Sequence, residues 1–584
     1  MKSFFKNVFA NIVAIVILCF VFFFFFIIMI AISSVSGEKS VNVKKNSVLT
    51  INLKTSIIDS PTEEEQSIFN LKDKNTNILI YDAVEAIHKA KNDDNIKGIS
   101  IETDNINAGT TQIDDLRNAI EDFKKSGKFV YAYGNSVSQA SYYLGSVADQ
   151  YYLNPSGGIE LKGLATEVTF FKDFAEKYGI GIEVIRHGKF KSAVEPFLRN
   201  DISPENKEQL STLLNDIWGN TSSKMAASRK IQSEEFKTVV DSLYGMIPDL
   251  TVKYKLADKL IQKSEYDQLI RTKLSLAEKD KLNKVSLQKY IDSFDDKDSS
   301  GEKVAVLYAS GSINNGDEYS DIYSEKYIKY IKELQKDDKV KAVVLRINSP
   351  GGSANASDEI LFELQQLKKT KPLVVSFGDY AASGGYYIAM GADKIYSEPN
   401  TLTGSIGVFG VLPYFKDIAN KNGVRSDIVA TNANSAYYSS LHGLTPYGVN
   451  LMTRSVEGTY KRFVYFVTQN RKKTFEQIDN IGGGRVWSGV RAKEIGLVDE
   501  LGTLNDAVKF AAQKANLKSY NVASYPKRMT AFEQIFDDMN EDDISARVIK
   551  NKIGKANYEI LEQLTDEKLK SEVKMEMPYR IKIN

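Results

Sequence analysis

Two segments in the second half of the chain combine residue types that suit acyl-transfer chemistry. In DYAASGGYYIAM, Ser383 lies between small residues after the apolar run PLVVSFG, where a turn from strand to helix would expose its hydroxyl. The positive end of that helix would favour an alkoxide, although a serine here can also be a simple helix cap. In RINSPGGSANAS, Gly351 and Gly352 let backbone N–H groups approach a carbonyl oxygen. Two such donors form an oxyanion hole, each lowering a barrier by about 3 kcal/mol.

An internal repeat with a constant offset of 244 residues runs through the chain. SYYLGSVADQYYLNP and GYYIAMGADKIYSEP place Tyr142 opposite Tyr386, and FFKDFAEKYGI and YFKDIANKNGV place Gly179 opposite Gly423. One offset that holds over about 90 residues indicates tandem duplication of a folding unit.

The two copies differ at the positions that matter for chemistry. Gln139 stands in the first copy at the position of Ser383, and DNINAG stands where the second copy has NSPGG. Conversely, Lys191 in the first-copy segment RHGKFKSAVEPFLRNDISP is opposite Ser435 in the second copy. The candidate nucleophile is present only in the second copy and the candidate lysine only in the first. We therefore expect one working site, formed where the two copies meet.

Each copy has the pattern of an α/β unit. Residues 340–347 and 373–377 are near-continuous apolar runs, as in buried parallel strands, and residues 358–367 have the spacing of an amphipathic helix. Alternating strands and helices predict βαβ units with right-handed crossovers. The predicted organisation is an N-terminal membrane anchor with a juxtamembrane segment (1–45), a first module (46–291), a linker (292–303), a second module (304–525) and a helical C-terminal tail (526–584).

The segments GKFKSAVEPF, AASGGYYIA and TLTGSIGVFG resemble the signature segments of the long-form signal peptide peptidase (protease IV) family. The resemblance covers roughly residues 1–520 and implies two tandem Clp protease/crotonase-like modules preceded by one transmembrane helix. It implies that Ser383 is the nucleophile, that Lys191 is the general base and that Ser405 orients the lysine. It also implies an oxyanion hole at Gly351 and Gly352, with Gly352 the favoured donor. Cleaved signal peptides as substrates and a ring-like homotetramer follow from the resemblance alone.

A lysine acts as a base only when its amine is neutral, and the reference pKa of lysine is about 10.4. Desolvation between two packed modules can lower such a pKa by roughly 3 units. Glu195, four residues beyond Lys191, would oppose this scheme if it came close to the amine. Lys189 is expected to be solvated, and His187 would need a positioned acid to form a triad.

The N-terminal part of the chain predicts a membrane anchor. Residues 8–32 carry no charge, and about 20 apolar residues suffice to span a bilayer. Lys2 and Lys6 before this run favour a cytoplasmic N-terminus. The expected location is therefore the bacterial inner (cytoplasmic) membrane, with a single pass and the catalytic part outside the cytoplasm.

Composition argues against other classes of site. The formal net charge is +1, which gives no reason to expect a nucleic-acid partner. Cys19 is the only cysteine and the chain has three histidines, so no metal site is expected. No cofactor is expected either.

The expected substrate is a hydrophobic peptide near the bilayer, bound by an aliphatic pocket. Five apolar residues after the nucleophile are candidates for its lining: Leu402, Ile406, Val408, Phe409 and Val411. Two alternatives stay open at this point. One is an acyl-CoA hydratase or thioesterase of the related fold, and the other is a catalytically inactive membrane scaffold.

Overall fold

The computed structural model describes residues 13–22, 43–52, 55–61, 77–102, 104–294, 301–317, 321–526 and 574–577 of the 584-residue chain. Of the apolar run at 8–32, residues 13–22 are described and form a helix with exposed side chains. The rest of that predicted span lies outside the described residues. Among the ranges given above, no helix has both the length and the apolar character needed to cross a bilayer.

The first module is built on a six-stranded parallel sheet in the order β8-β6-β5-β4-β1-β9. Its buried strands are rich in β-branched residues and tyrosine, which suit a sheet covered on both faces. The strands of this half are β1 (Ser47–Ile51), β2 (Ile57–Ile58), β3 (Ile78–Leu79), β4 (Ile96–Glu102), β5 (Phe129–Ser138), β6 (Gln150–Glu160), β7 (Gly181–His187), β8 (Lys259–Leu260) and β9 (Asn283–Ser286).

Helices alternate with these strands and cover the sheet. The α-helices of this half are α1 (Ile80–Asn92), α2 (Thr110–Lys124), α3 (Gln139–Gly145), α4 (Lys172–Tyr178), α5 (Glu195–Leu198), α6 (Pro204–Arg229), α7 (Ser233–Asp241), α8 (Pro248–Lys253), α9 (Lys263–Lys273) and α10 (Leu287–Ile291). The longest, α6, begins after Ser203, whose hydroxyl accepts a hydrogen bond from the Asn206 amide. A serine in this position satisfies one of the N–H groups that a helix leaves unpaired at its start.

The second module has an eight-stranded sheet with the main path β21-β17-β15-β13-β10-β23, in which β16 also pairs with β15 and β22. All its pairs are parallel except β17 with β21. The strands of this half are β10 (Lys303–Ser310), β11 (Ile313–Asn314), β12 (Ile322–Tyr323), β13 (Val340–Ser349), β14 (Gly351–Ser353), β15 (Leu373–Ala382), β16 (Lys394–Ser397), β17 (Leu402–Gly404), β18 (Val408–Tyr414), β19 (Tyr438–Ser439), β20 (Gly443–Leu444), β21 (Val486–Ser488), β22 (Glu500–Leu501), β23 (Asn521–Tyr525) and β24 (Lys574–Glu576).

Helices lie between the strands of the second half as well. They are α11 (Ser324–Lys336), α12 (Ala354–Lys368), α13 (Gly384–Ala389), α14 (Lys416–Lys421), α15 (Pro446–Arg471), α16 (Phe475–Ile481), α17 (Gly489–Glu494) and α18 (Leu504–Lys514). The bounds of α1 and α11, of α2 and α12, and of β5 and β15 differ by the repeat offset of 244 residues at both ends. The duplication inferred from the sequence is therefore confirmed in the fold.

A third sheet joins the two modules, in the order β12-β11-β14-β24-β18-β7. Strand β7 comes from the first module and runs antiparallel to β18 of the second, from His187 opposite Val408 to Gly181 opposite Tyr414. Strand β24 comes from the C-terminal tail. The tail was expected to be helical, but its residues 574–576 form a strand, because they pair with two neighbouring strands of this sheet. Residues 527–573 lie outside the described part of the chain.

Candidate active site

Ser383 occupies the corner between β15 and α13. Its backbone has φ 55° and ψ −114°, a left-handed conformation that a residue with a side chain seldom adopts. The Ser383 amide donates to Gly404 O at 2.8 Å, which helps to hold this corner. Its side chain makes no capping bond to α13, so the helix-cap interpretation does not describe it. Backbone strain of this kind costs about 1–3 kcal/mol and concentrates at functional sites.

Lys191 is carried by an inverse γ-turn that follows β7. The Ser192 amide donates to Phe190 O at 2.8 Å, and Lys191 at the centre of the turn has φ −77° and ψ 71°. The turn rests on a glycine loop of the second module, where Phe190 N donates to Gly483 O at 3.1 Å. A Cβ at Gly484 would lie 2.6 Å from Lys191 Cβ, so only glycine fits there. The triple glycine at 482–484 is the sequence signal from which this contact could have been predicted.

The two modules bring Lys191, Ser383 and Ser405 together. Lys191 Nζ donates to Ser383 Oγ at 2.9 Å, to Ser405 Oγ at 2.9 Å and to Ser405 O at 3.3 Å. All three residues have a relative exposure of 0%. The ring centroid of Phe409 lies 5.7 Å from the amine. These distances are those of direct hydrogen bonds, so a proton can pass between the amine and either hydroxyl.

Ser405 is held by the segment between β17 and β18. Its φ of 48° is again left-handed, and its amide donates to Arg485 O at 2.7 Å. This geometry turns the Ser405 hydroxyl toward the lysine. Two of the non-glycine residues with positive φ in the described chain are thus the two serines that contact Lys191.

The glycine pair at 351–352 lies beside the Ser383 corner. Gly351 has φ 104°, and a Cβ there would lie 2.7 Å from Gly384 N and 3.0 Å from Ala382 O. A side chain would therefore fill the space next to the nucleophile. Gly352 has φ 157°, and its Cβ would collide with Ile313 of the neighbouring strand β11. The arrangement keeps the Gly384 amide and the glycine-pair backbone close together, as two donors to one oxyanion require.

Other charged groups near the lysine have separate roles. The buried Glu195 carboxylate accepts from Ser203 Oγ at 2.5 Å, Ser203 N at 3.5 Å and Asn206 Nδ2 at 3.0 Å, at the start of α6. Lys189 is exposed, as expected. The His187 ring stacks on Tyr460 at 3.8 Å, and burial lowers the pKa of His187.

The candidate pocket residues are mostly parts of the core. Ile406 and Val408 are fully buried among the core residues of the second module, whereas Val411 is half-buried. Leu402 packs in a smaller apolar cluster together with Ala382, next to the nucleophile.

Sequence reasoning missed a buried charged cluster where the modules meet. Arg346 of β13 forms a salt bridge with Asp59 at 2.8 Å, and both side chains are almost fully buried. Nearby, the carboxyl groups of Asp115 and Glu398, one from each module, are buried and interact with each other and with Arg346. Burial raises the pKa of Asp115 to about 7 and raises that of Glu398 well above its ordinary range. The Arg346–Asp59 pair links residues 287 positions apart, a separation at which no local pattern signals the contact.

Comparison with known proteins agrees with this architecture. The model of peptidase family S49 matches residues 122–278 and 365–518, one segment in each module, and the Clp protease model matches residues 296–403. Protease 4 of Salmonella typhi is 38% identical over 471 residues, which cover 79% of this chain and 76% of that protein. The chain belongs to peptidase family S49. It is therefore a serine peptidase, built from Clp protease-like α/β modules.

Two further relatives of this S49 peptidase cover different shares of its length. The chloroplastic serine protease SPPA of Arabidopsis thaliana is 32% identical over 494 residues, covering 81% of this chain and 70% of that protein. A putative signal peptide peptidase SppA of Enterococcus faecium is 32% identical over 241 residues, covering 40% of this chain and 70% of that protein. The second relative thus spans much less of the duplicated architecture than the first.

Proposed function

We propose that this S49 peptidase is a membrane-bound endopeptidase with a Ser/Lys dyad, in which Ser383 is the nucleophile and Lys191 the general base. The observation that carries the proposal is the 2.9 Å distance between Lys191 Nζ and Ser383 Oγ. A nucleophile and its base need to lie within about 2.6–3.2 Å of each other. In this scheme Ser405 orients the amine. The Gly351–Gly352 pair contributes the Gly352 amide to the oxyanion hole and the Gly384 amide is the second donor, because the Gly351 amide donates to Ser349 Oγ at 3.2 Å.

Acylation begins when Ser383 Oγ attacks the carbonyl carbon of the scissile bond while Lys191 Nζ takes the hydroxyl proton. The oxyanion of the tetrahedral intermediate accepts hydrogen bonds from the amides of Gly352 and Gly384. The C–N bond then breaks, and Lys191 gives its proton to the leaving amine. Lys191 Nζ then deprotonates a water molecule, which hydrolyses the acyl-enzyme. Ser383 regains its proton in this step. The scheme uses no metal and no cofactor.

The neutral amine that this scheme requires is favoured by burial. Full removal of an ammonium group from water costs several kcal/mol, and the Lys191 side chain is completely buried. The Phe409 ring attracts a desolvated cation by about 2 kcal/mol. Desolvation therefore outweighs this attraction, and we expect activity to rise with pH as the amine loses its proton.

We propose a single membrane pass through residues 8–32, in the bacterial inner membrane, with the catalytic modules outside the cytoplasm. The proposal is supported by the uncharged run at the N-terminus and by Lys2 and Lys6 before it. Hydrophobic peptides, such as cleaved signal peptides, are the proposed substrates, and a homotetramer is the proposed assembly. The apolar surroundings of the nucleophile, including Leu402, and the name of the Enterococcus faecium relative support this substrate class.

Hydrolysis of a quenched fluorescent peptide with an apolar sequence, by the full chain in detergent, tests the dyad. Lys191→Met should lower kcat/KM by about 10⁴-fold or more, because the base is lost while the apolar stem is kept. Lys189→Met is the matched control, since Lys189 is exposed and two residues away. Equal activity of K191M and K189M would contradict the proposal, provided that both variants keep the wild-type thermal unfolding profile.

A further inference from the structure

Gln209 of helix α6 joins two segments that lie beside the proposed dyad. The helix belongs to the first module, and Gln209 has a relative exposure of 1%. Its Oε1 accepts a hydrogen bond from the Val486 amide at 2.8 Å, and its Nε2 donates to Ser192 Oγ at the longer distance of 3.4 Å. Ser192 directly follows Lys191, whereas Val486 begins β21 of the second module. One buried side-chain amide therefore connects the two modules next to the site.

The orientation of this amide is fixed by its partners. A backbone N–H can only donate, so the Val486 amide requires the oxygen of Gln209 on its side. The nitrogen of Gln209 then faces the Ser192 hydroxyl, which accepts this bond and itself donates to Phe190 O at 3.4 Å. Phe190 and Ser192 flank Lys191 in the γ-turn described above. The glutamine therefore supports the turn that carries the proposed general base.

The other end of the glutamine amide leads to Ser405. The Arg485 carbonyl, one residue before Val486, accepts from Ser405 N at 2.7 Å. Ser405 Oγ in turn accepts from Lys191 Nζ at 2.9 Å. The contacts form a closed circuit, which runs from the lysine turn through the glutamine and the start of β21 to Ser405, and from Ser405 back to the amine.

The corresponding helix of the second module has no side-chain amide at this place. Helices α6 and α15 are both 26 residues long, and they begin at Pro204 and Pro446. Leu451 therefore stands in α15 where α6 has Gln209, and the Leu451 side chain is exposed. Of the two helices, the one with the glutamine is the one that adjoins the dyad.

We propose that Gln209 is a positioning residue that sets the distance between the Lys191 amine and the Ser405 hydroxyl, an inference that rests on the Ser/Lys mechanism proposed above. A lysine side chain is long and flexible, so its amine needs fixed partners in order to face Ser383. The turn that carries Lys191 and the segment that carries Ser405 belong to different modules. A displacement of about 1 Å at a reacting group can cost about 10²-fold in rate. Gln209 keeps these two segments in register.

Steady-state hydrolysis of the fluorescent reporter peptide by the full chain in detergent tests this role. Gln209→Met keeps the length of the side chain and removes both hydrogen bonds. We therefore expect kcat to fall by about tenfold or more while KM stays within about twofold, because the amine is misplaced and the peptide groove is not. The pH at which the rate levels off should also shift, since the surroundings of the amine change. A lower Tm in Q209M with wild-type kcat and a wild-type pH profile would overturn the inference.

Asn505→Leu is the control for a lost contact between the modules. Asn505 Nδ2 donates to Glu85 Oε1 of the first module at 2.5 Å, and Asn505 is almost fully buried. It lies on α18, whose Leu504 packs with Val374 near the start of β15, whereas Ser383 follows the end of that strand. N505L should therefore lower Tm and keep the wild-type kcat and pH profile. A loss of kcat in N505L equal to that in Q209M would overturn the specific role of Gln209.

A double variant tests whether Gln209 acts through Ser405. Ser405→Ala already lacks the hydroxyl that Gln209 positions, so adding Q209M to S405A should lower kcat by about threefold at most. The full factor of the single variant would show that Gln209 acts independently of Ser405 and would overturn the inference. If Q209M does not fold, Gln209→Asn replaces it with the same expectations, because an amide withdrawn by one methylene cannot reach both partners. Equal activity of K191M and wild type would contradict the dyad itself, whereas wild-type behaviour of Q209M beside an inactive K191M overturns only the role of Gln209.

Discussion

Each module has a corner where a strand turns into a helix, and the two corners differ in backbone conformation and in side-chain contacts. In the second module the corner residue Ser383 has a strained backbone, and its hydroxyl meets Lys191. In the first module Ser138 has ordinary extended angles and caps α3 by accepting from the Ser141 amide. The next residue, Gln139, stands 244 positions before Ser383 and is buried.

The Gln139 amide closes the first corner by bonding to the segment that faces it. Its Oε1 accepts from Lys162 N at 3.0 Å and Gly163 N at 2.8 Å, and its Nε2 donates to Gly163 O at 3.1 Å. Gly163 is the repeat counterpart of Gly407, whose carbonyl lies 3.5 Å from Ser383 Oγ. The same space thus holds a satisfied amide in one module and a reactive hydroxyl in the other. The corner of the first module is therefore structural, whereas the corner of the second module contains the proposed nucleophile.

The largest expected effect separates these two corners directly. Ser383→Ala should lower kcat/KM for an apolar peptide by about 10⁴-fold or more, because the nucleophile is lost. Gln139→Ala, the matched change at the first corner, should leave kcat/KM near the wild-type value and lower Tm, because the part-buried amides of Lys162 and Gly163 lose their hydrogen bonds to the Gln139 side chain. A large loss of activity in Q139A without a change in Tm would break the comparison.

Much of this contrast could be predicted from the sequence, because duplication makes each module a control for the other. The offset of 244 residues locates the counterparts of Ser383 and Lys191 from the sequence alone. Strand and helix periodicity then located the elements around them, since α12 and β15 contain the predicted 358–367 and 373–377.

The remaining features depend on contacts between distant parts of the chain. The left-handed backbone of Ser405 is held by Arg485, 80 positions away, and nothing in TLTGSIG signals it. The pairing of β24 with the glycine strand joins residues more than 200 positions apart. A strand that is completed by its neighbours carries little signal of its own, so the tail was predicted to be helical. The buried Arg346–Asp59 pair is non-local in the same way.

A smaller effect is expected when the Ser405 hydroxyl is removed, because this hydroxyl forms no covalent bond with the substrate. Ser405→Ala should lower kcat/KM by about 10²-fold, because the amine loses one of the partners that aim it at Ser383. Ser397→Ala removes another fully buried serine of the same module and serves as the control. The pH–rate profile is the decisive readout. A positioning role predicts a shifted profile in S405A, and an unchanged profile with reduced Tm would mean that Ser405 is only structural.

The last expected effect is on stability rather than on activity, and it concerns the buried contact between the modules. Because burial raises the pKa of Asp115 to about 7, its protonated form stabilises the fold. That contribution is present at low pH and is lost as pH rises from about 4 to about 7, at up to about 1.4 kcal/mol per pH unit. Asp115→Asn should therefore flatten the dependence of Tm on pH in this window and raise Tm at pH 8. Parallel curves for wild type and D115N would contradict the protonated carboxyl pair.

The rate at which Ser383 is acylated shows whether an amine from the first module activates a hydroxyl of the second. Labelling by a fluorophosphonate probe, followed by mass mapping of the adduct, gives that rate as a function of pH. We expect wild-type labelling at Ser383 to rise with pH and to level off once Lys191 is neutral. We expect K191M to be labelled at least about 10³-fold more slowly and without a plateau. Labelling of K191M at the wild-type rate with the wild-type plateau would show that Lys191 does not activate Ser383.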